Sequence, residues 1–385
     1  MQHQPVKALL AAAAALLLLA GCSGESKGPQ GSGSSRPNPA ASGPASTASP
    51  SGAPAKGSVK VLSTLTKDLA SPWGLAALPD GDLLVSSRDQ GTITRIDTET
   101  GRKTLLGSVP GVAPGGEGGL LGLAVPPTYA SDHLVYAYFT TESDNRIARV
   151  LYDERKPAGQ QLGAPDTILR GIPKGVIHNG GRIAFGPDGM LYAGTGETGN
   201  PGLAQDKKSL GGKILRMTPD GRPLHGNPYP DSVVYSYGHR NVQGLSWDAD
   251  KRLWASEFGQ HEWDELNLIQ PGKNYGWPEV EGKGGRPEYV DPVAVWPVAE
   301  ASPSGIAYVR GSIWMAGLRG ERLWRIPLRG AGLAAEPQAF LKGEYGRLRT
   351  VLAAGGDRMW LMTSNTDTRG TPKPGDDRIL LLQVK

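Results

Sequence analysis

From Pro72 onward, short apolar runs rich in Val, Ile, Leu, Trp and Tyr alternate with clusters of Gly, Asp and Pro. Runs of this kind bounded by turn residues read as β-strands, and no segment carries the apolar stripe of a long helix. One phrase recurs: an apolar strand, a tight turn that is often Pro-Asp-Gly, a second apolar strand, a polar loop and a third strand. It runs from Pro72 to Asp97 and from Gly119 to Asp153, then from Gly180 to Gly221 and from Val242 onward. The last two copies run from Ser302 to Leu328 and from Leu348 to the terminal DDRILLLQV. Copies start roughly 45–60 residues apart, the spacing of four-stranded propeller blades. A unit that cannot bury both its faces alone must pack against neighbours around an axis. The pattern predicts an all-β, six-bladed β-propeller over residues 58–385. Degenerate strands within Ala164–Val176 or Gly282–Val298 would add a seventh blade. A β-sandwich does not explain the period.

The first 57 residues follow other rules. Lys7 precedes the apolar run Ala8–Ala20 and then Gly21-Cys22. A basic start, a short apolar stretch and small residues before a cleavage point predict a secretory signal over residues 1–21. A spanning helix would need roughly 20 apolar residues. Leu19-Ala20-Gly21-Cys22 resembles the lipobox of bacterial lipoproteins, in which the cysteine is lipidated. Cys22 is the only cysteine in the chain, so no intrachain disulfide or thiolate metal site is open to it. Residues 22–57 are almost wholly Ser, Gly, Pro and Ala, too little apolar surface to offset chain entropy, and predict a disordered tether. The expected location is extracytoplasmic, with the membrane reached only through the N-terminal lipid. The net charge of +4 is spread along the chain without a Lys/Arg cluster, which gives no footprint for nucleic acid.

The repeat also locates candidate chemistry. In a propeller the loops leading into successive blades converge on one end of the central channel. The polar residues there are Glu117, His178 with Asn179, Arg240 with Asn241, Ser302 with Ser304, and Arg347 with Arg349. His178 stands ahead of Gly180-Gly181, where backbone can approach closely and leave the imidazole open to a ligand as a general base. Arg347 and Arg349 share one side of an extended segment, and two guanidinium forks suit a ligand with several carboxylates or phosphates. Arg240 could polarise a carbonyl or hold developing negative charge. The stretch Glu257–Glu265 reads as a polar loop carrying Glu257, Glu262, Asp264 and Glu265 around Gly259. Such oxygen-rich loops suit calcium, which takes about 6–8 oxygen ligands. There is no GxGxxG ahead of a helix, no Walker loop, no serine elbow and no HExxH. A histidine base, arginines and a calcium-type loop leave open hydride transfer to a bound polyanionic cofactor that a metal polarises.

Seven motifs, in this order, carry a resemblance: GGEGGLLGLA at Gly115, HNGGRIAFGPDG at His178, GHRNVQGL at Gly238, SEFGQHEWDELNLI at Ser256, NYGWP at Asn274, SPSG at Ser302 and RLR at Arg347. Over about Val59 to Val384 the chain resembles the soluble pyrroloquinoline quinone (PQQ)-dependent sugar dehydrogenases, the aldose sugar dehydrogenase branch of the glucose/sorbosone dehydrogenase family. The resemblance implies oxidation of an aldose to its lactone, with hydride passing to calcium-bound PQQ and electrons leaving to an external acceptor. It makes His178 the base that takes the proton of the anomeric hydroxyl. Arg240 and Asn241 would contact the quinone, Arg240 next to its reactive carbonyl. The backbone carbonyls of Gly259 and Gln260 would hold calcium. Arg347 and Arg349 would pair with cofactor carboxylates, and Glu117, Ser302, Pro303, Ser304 and Gly305 would line the same pocket. Glu265 and Tyr275 match a second, structural calcium position. Three positions depart from relatives. Glu117 stands where they can carry Gln, Gln260 replaces a Pro, and Ile177 replaces an Asp that supports the base in glucose-oxidising members. Two rival readings follow from the same residues. One is a calcium-dependent, lactonase-type hydrolase using Glu117 and Glu197; the other is a non-catalytic, surface-tethered propeller that binds carbohydrate or protein.

Overall fold

The structure is a computed structural model and describes residues 52–385. Cys22, the signal segment and most of the predicted tether lie outside the described residues. The short apolar runs form six antiparallel sheets. From the axis outward, the first blade is Pro72–Ala77, Leu83–Ser87, Thr92–Ile96 and Lys103–Ser108. The second is Leu120–Ala124, Leu134–Thr140, Asn145–Leu151 and Asp166–Ile172. The third is Ile183–Phe185, Leu191–Gly194, Lys213–Met217 and Val234–Tyr237, and the fourth is Val242–Trp247, Leu253–Glu257, Trp263–Ile269 and Ala294–Pro297. Pro303–Val309, Ser312–Gly317 and Arg322–Arg329 make the fifth, with Gln338–Phe340 and Gly332–Leu333 outside them. The sixth is Leu348–Ala353, Arg358–Thr363 and Ile379–Val384.

The two stretches read as candidates for a seventh blade, Ala164–Val176 and Gly282–Val298, instead supply the outer strands of blades two and four. Blade six takes its outermost strand from Val59–Thr66, which pairs antiparallel with Ile379–Val384 from Val59 opposite Val384 to Thr66 opposite Ile379. That pairing joins distant parts of the chain in one sheet and leaves the ring no exposed seam.

The inner strands pack on both faces, which is why they read as continuous apolar runs rather than as alternation. Every residue of Leu120–Ala124 is buried, and in blade five the burial extends to every residue of the second strand, Ser312–Gly317. Apolar layers fill the spaces between blades, for example Trp254, Trp296, Ile306, Met315 and Trp324 between blades four and five. Each such side chain contributes roughly 1.5–3 kcal/mol by burial. Closer to the axis the blades are joined by polar groups. Ser86 Oγ donates to the Leu121 carbonyl at 2.6 Å, Ser256 Oγ to the Ser304 carbonyl at 2.6 Å, and Thr350 Oγ1 to the Trp73 carbonyl at 3.0 Å. The lead-in loops are thus mounted on inner strands tied directly to one another.

Candidate active site

Those loops meet over one end of the axis around a cleft of about 530 Å³, and all six blades line it. Six arginines (88, 240, 319, 347, 349 and 369) face three carboxylates (Glu117, Asp264 and Asp367), an excess that favours an anionic ligand. A groove of about 500 Å³ on the flank of blades three and four, around Tyr192, Tyr235 and Trp247, has no comparable convergence of charge.

His178 adopts a left-handed backbone conformation, φ +54°. It is held by its N–H, which donates to Glu117 Oε2 at 2.9 Å, and by its ring, whose Nδ1 lies 2.6 Å from Glu197 Oε1. Glu197 is only 1% exposed, and its other oxygen has no partner. A carboxylate can only accept, so Nδ1 carries the proton and Nε2 is left as the acceptor. Ile177, which stands where glucose-oxidising relatives carry a supporting Asp, lines the cleft, and a carboxylate reaches the base from elsewhere: Glu197, in the loop that follows Leu191–Gly194. Glycine at position 196 makes the approach possible, because a Cβ there would run into the His178 carbonyl.

Arg240 and Asn241 stand at the lead-in to blade four. The Arg240 N–H donates to Glu257 Oε1, and Glu257 Oε2 accepts from His239 Nδ1 at 2.8 Å. Asn241 Oδ1 accepts from the Gly180 N–H at 2.9 Å, which ties this loop to that of blade three. The Arg240 guanidinium lies 5.5 Å from the Trp277 ring centroid and donates to the Phe258 carbonyl at 3.3 Å. Its Nε is buried without a partner, and burial pulls its pKa below the usual arginine range. A buried donor left unused at a cleft wall is what a ligand oxygen would satisfy.

Across the cleft, Arg347 Nη2 and Arg349 Nη2 converge on Asp367 Oδ2 at 3.0 and 2.9 Å. Arg88 donates to the Asp367 backbone carbonyl at 3.4 Å and pairs with Asp89 at 2.6 Å. Burial brings Arg349 down to about 10. Burial also opposes ionisation of Asp367, but Arg349 and Arg347 outweigh it and hold the carboxyl below its usual range. Sequence reasoning found the two arginines and missed Asp367, which stands outside the lead-in positions. Glu117 also receives Arg369 Nη2 at 2.7 Å, so its added charge is matched.

The polar stretch after Glu257 is shorter than predicted. Glu257 ends one strand and Trp263–Ile269 begins the next, so Asp264 and Glu265 lie in a strand and face opposite sides. Asp264 faces the cleft, accepts from the Gly259 and Ser302 N–H groups at 2.9 and 2.6 Å, and is pushed by burial to about 6. The N–H groups of residues 260–263 all donate to Glu281 Oε1, at 2.7 to 3.1 Å. Burial opposes ionisation of Glu281, yet these four donors hold it below the usual carboxylate range. With its N–H groups gathered on one acid, the loop leaves the Gly259 and Gln260 carbonyls without donors among the described residues. Both residues line the cleft.

Glu265 is buried on the other side, cross-strand from Glu257. Burial first, and the Glu257 charge second, raise its pKa. Nearby, Asn267 Oδ1 is buried with no donor. The Tyr275 hydroxyl is fully used, donating to the Leu268 carbonyl at 2.7 Å and accepting from the Gln270 N–H at 2.8 Å. Only its backbone carbonyl could therefore serve a cation. Among the described residues no group of three or more His, Cys, Asp or Glu is placed to hold a metal. A hard cation would rest on carbonyls and isolated carboxylates. The Gly259 and Gln260 carbonyls fit one at the first position. At the second, Glu265 accepts one N–H on each oxygen, from Gly282 at 2.7 Å and Asn267 at 2.9 Å, and keeps a lone pair on each beside the free Asn267 Oδ1.

The SPSG motif is placed differently from expectation. Ser302 lines the cleft, but Pro303, Ser304 and Gly305 do not, because they already belong to an inner strand that descends the channel. Ser304 reaches the cleft only indirectly, through its Oγ donating to Gln243 Oε1 at 3.0 Å.

A six-bladed propeller whose axial cleft joins a carboxylate-backed histidine to an arginine cluster is the frame of a sugar-dehydrogenase family. The chain belongs to it: the family model described as Glucose / Sorbosone dehydrogenase matches residues 69–372. Among solved structures the chain is similar to the PQQ-bound aldose sugar dehydrogenase of Streptomyces coelicolor. The two share 74% identity at a TM-score of 0.86, over 86% of this chain and 100% of that one. It is 32% identical to aldose sugar dehydrogenase YliI of Escherichia coli over 236 residues, 59% of this chain and 63% of that one. It is 31% identical to quinoprotein glucose dehydrogenase B of Acinetobacter calcoaceticus over 253 residues, 58% of this chain and 52% of that one. The chain thus spans between about half and two thirds of the length of these two curated relatives.

Proposed function

We propose that the protein oxidises an aldose to its lactone with PQQ and calcium held in the axial cleft, passing electrons to an external acceptor. One observation carries the reading. His178 backed by Glu197, Arg240 with an unused donor, and the Arg347–Arg349 pair come from three different blades and line one cleft. When bound, the quinone supplies a two-electron acceptor and calcium a Lewis acid. The chain's own residues then divide the work. Nε2 of His178 takes the proton of the anomeric hydroxyl, while Glu197 keeps the other ring proton on Nδ1 and stabilises the imidazolium. Arg240 offers its free N–H to a cofactor oxygen, and Asn241 stands beside it. Arg347, Arg349 and Arg88 hold carboxylates by forked hydrogen bonds. The Gly259 and Gln260 carbonyls hold the catalytic calcium. Glu265 with the Tyr275 carbonyl holds a structural one.

The hydrolase reading lacks converging ligands here: Glu117 is paired with the His178 N–H and Arg369, and Glu197, bonded to the His178 ring, does not line the cleft. The test is reconstitution: metal-free protein is given calcium and PQQ, then a broad panel of aldoses and a dye acceptor. Dye reduction is expected. Absence of PQQ binding by titration would remove the enzyme reading and favour the non-catalytic propeller. Binding without turnover on any sugar would remove only the substrate class. We further propose that Cys22 carries a lipid that holds the domain outside the cytoplasmic membrane. Cys22→Ser should release the protein or leave its precursor uncleaved, and unchanged fractionation with normal processing would refute the anchor.

A further inference from the structure

We infer that the channel end opposite the cleft is a binding site for a small, weakly hydrated monovalent anion of the halide class, held by Arg182. Arg182 stands just ahead of the inner strand of blade three, and its side chain crosses the axis. Nη2 donates to Thr350 Oγ1 of blade six at 3.1 Å, and Nε to the Gln243 carbonyl of blade four at 2.8 Å. The guanidinium lies 4.5 Å from the ring centroid of Trp73, whose ring Arg349 also approaches at 5.6 Å. Trp73 belongs to the wall of the upper cleft. Arg182 therefore plugs the channel beneath it.

Beneath the plug is a separate cavity of about 270 Å³, with Leu123, Phe185, Ile306 and Leu352 in its walls and Arg182 as its one charged residue. Arg182 is 7% exposed, and no carboxylate among the described residues lies within salt-bridge distance of it. Its two hydrogen bonds go to neutral acceptors, and Nη1 makes none. Burial, followed by repulsion from Arg349, lowers its pKa to about 9, which still leaves it a cation at neutral pH. A buried charge without a partner is strongly unfavourable, and the Trp73 face compensates only part of it. The cavity gives a counter-ion access to that charge. A single guanidinium among aliphatic walls matches one negative charge, and it favours an anion that sheds water easily over sulfate or phosphate. The site does not depend on what the upper cleft holds.

The test uses the wild-type chain at constant ionic strength. Bromide or chloride is titrated against methanesulfonate while thermal unfolding is followed, and crystals soaked in bromide are measured for anomalous scattering. The expected result is a saturable rise in Tm of about 1–3 °C and a bromide peak on the axis against Arg182. Arg182→Met should abolish the saturable rise. If that variant does not fold, the wild-type titration and the bromide peak decide. A Tm indifferent to halide, a bromide peak without a saturable Tm response, or the same response in Arg182→Met would each overturn the inference.

Discussion

Exchanging Glu197 for glutamine tests the centre of the proposed chemistry without changing its shape. The carboxylate and the His178 ring meet at 2.6 Å, with side chains 2% and 12% exposed, so little water competes for the bond. Hydrogen bonds to charged groups are worth about 1.5–3 kcal/mol, which converts to roughly a 10- to 150-fold loss in turnover. An amide that turned its N–H₂ toward Nδ1 would force the ring proton onto Nε2. The loss would then approach the whole of general-base catalysis, about 10²–10⁴-fold. Stability should move the other way or not at all, because Glu197 Oε2 is buried without a partner in the wild type. An amide removes a charge whose burial is only half compensated. The assay is steady-state dye reduction at saturating PQQ and calcium, with PQQ affinity and Tm measured on the same preparation. In Glu197→Gln turnover should fall by about tenfold or more, while PQQ affinity and Tm hold. Turnover within about twofold of wild type, or a parallel loss of PQQ affinity and Tm, would refute the assignment of Glu197 as the residue that positions the base.

Arg347→Ala combined with Arg349→Ala should weaken PQQ binding at least tenfold in a titration, since each forked pair contributes more than a kilocalorie or so. Tm should also fall, because Asp367 loses both its ion pairs; unchanged PQQ affinity would place the cofactor elsewhere. Chelation should lower Tm, since an ion that binds only the folded state stabilises it by mass action. Glu265→Ala should blunt the response of Tm to added calcium, and a Tm that ignores both chelator and calcium would reduce these positions to ordinary turns. Lys213 is buried with Nζ donating to the carbonyls of Leu203, Ala204 and Gly211 at 2.6, 3.1 and 2.6 Å, and burial lowers its pKa from 10.5 to about 7. Between those values the unfolded chain binds a proton that the folded chain does not, so this residue makes stability rise with pH across that window. In Lys213→Met that rise should be missing, and a wild-type minus variant Tm difference that is flat from pH 7 to pH 10 would refute it.

The propeller was legible because a four-stranded unit repeated in sequence imposes its own period, and because inner strands buried on both faces leave uninterrupted apolar runs such as Leu120–Ala124. The ligand-facing groups were legible for a related reason. His178, Arg240 and Arg347 occupy equivalent places ahead of the third, fourth and sixth copies, so the repeat predicted their meeting without any tertiary information. The strand Val59–Thr66 was not legible as the closing strand of blade six, because its partner is at the far end of the chain and nothing local names it. The placing of Glu265 failed for a different reason. The length of a loop decides on which face of the next strand a residue falls, and the predicted polar loop was too long at its C-terminal end.

The acids whose role the sequence did not show share a physical function: Glu197 and Glu257 read as candidate cation ligands, and Glu281 and Asp367 were not singled out. Each group that faces the ligand is held by a carboxylate: Glu197 behind the His178 ring, Glu257 behind the Arg240 N–H, Glu281 behind the loop of Gly259 and Gln260, and Asp367, itself in the cleft wall, between Arg347 and Arg349. A glutamate that orients a catalytic group and one that solvates a turn are the same letter in the sequence. Only burial and a partner from elsewhere in the fold tell them apart. The arrangement has a consequence for binding. Donors and carbonyls are already aimed into the cleft by acids whose hydrogen bonds need not break, so a ligand meets an ordered site and little ordering entropy remains to oppose it. Arg182 departs from this rule, since it is buried on the same axis with no acid behind it, and for that reason its counter-ion is expected from solution.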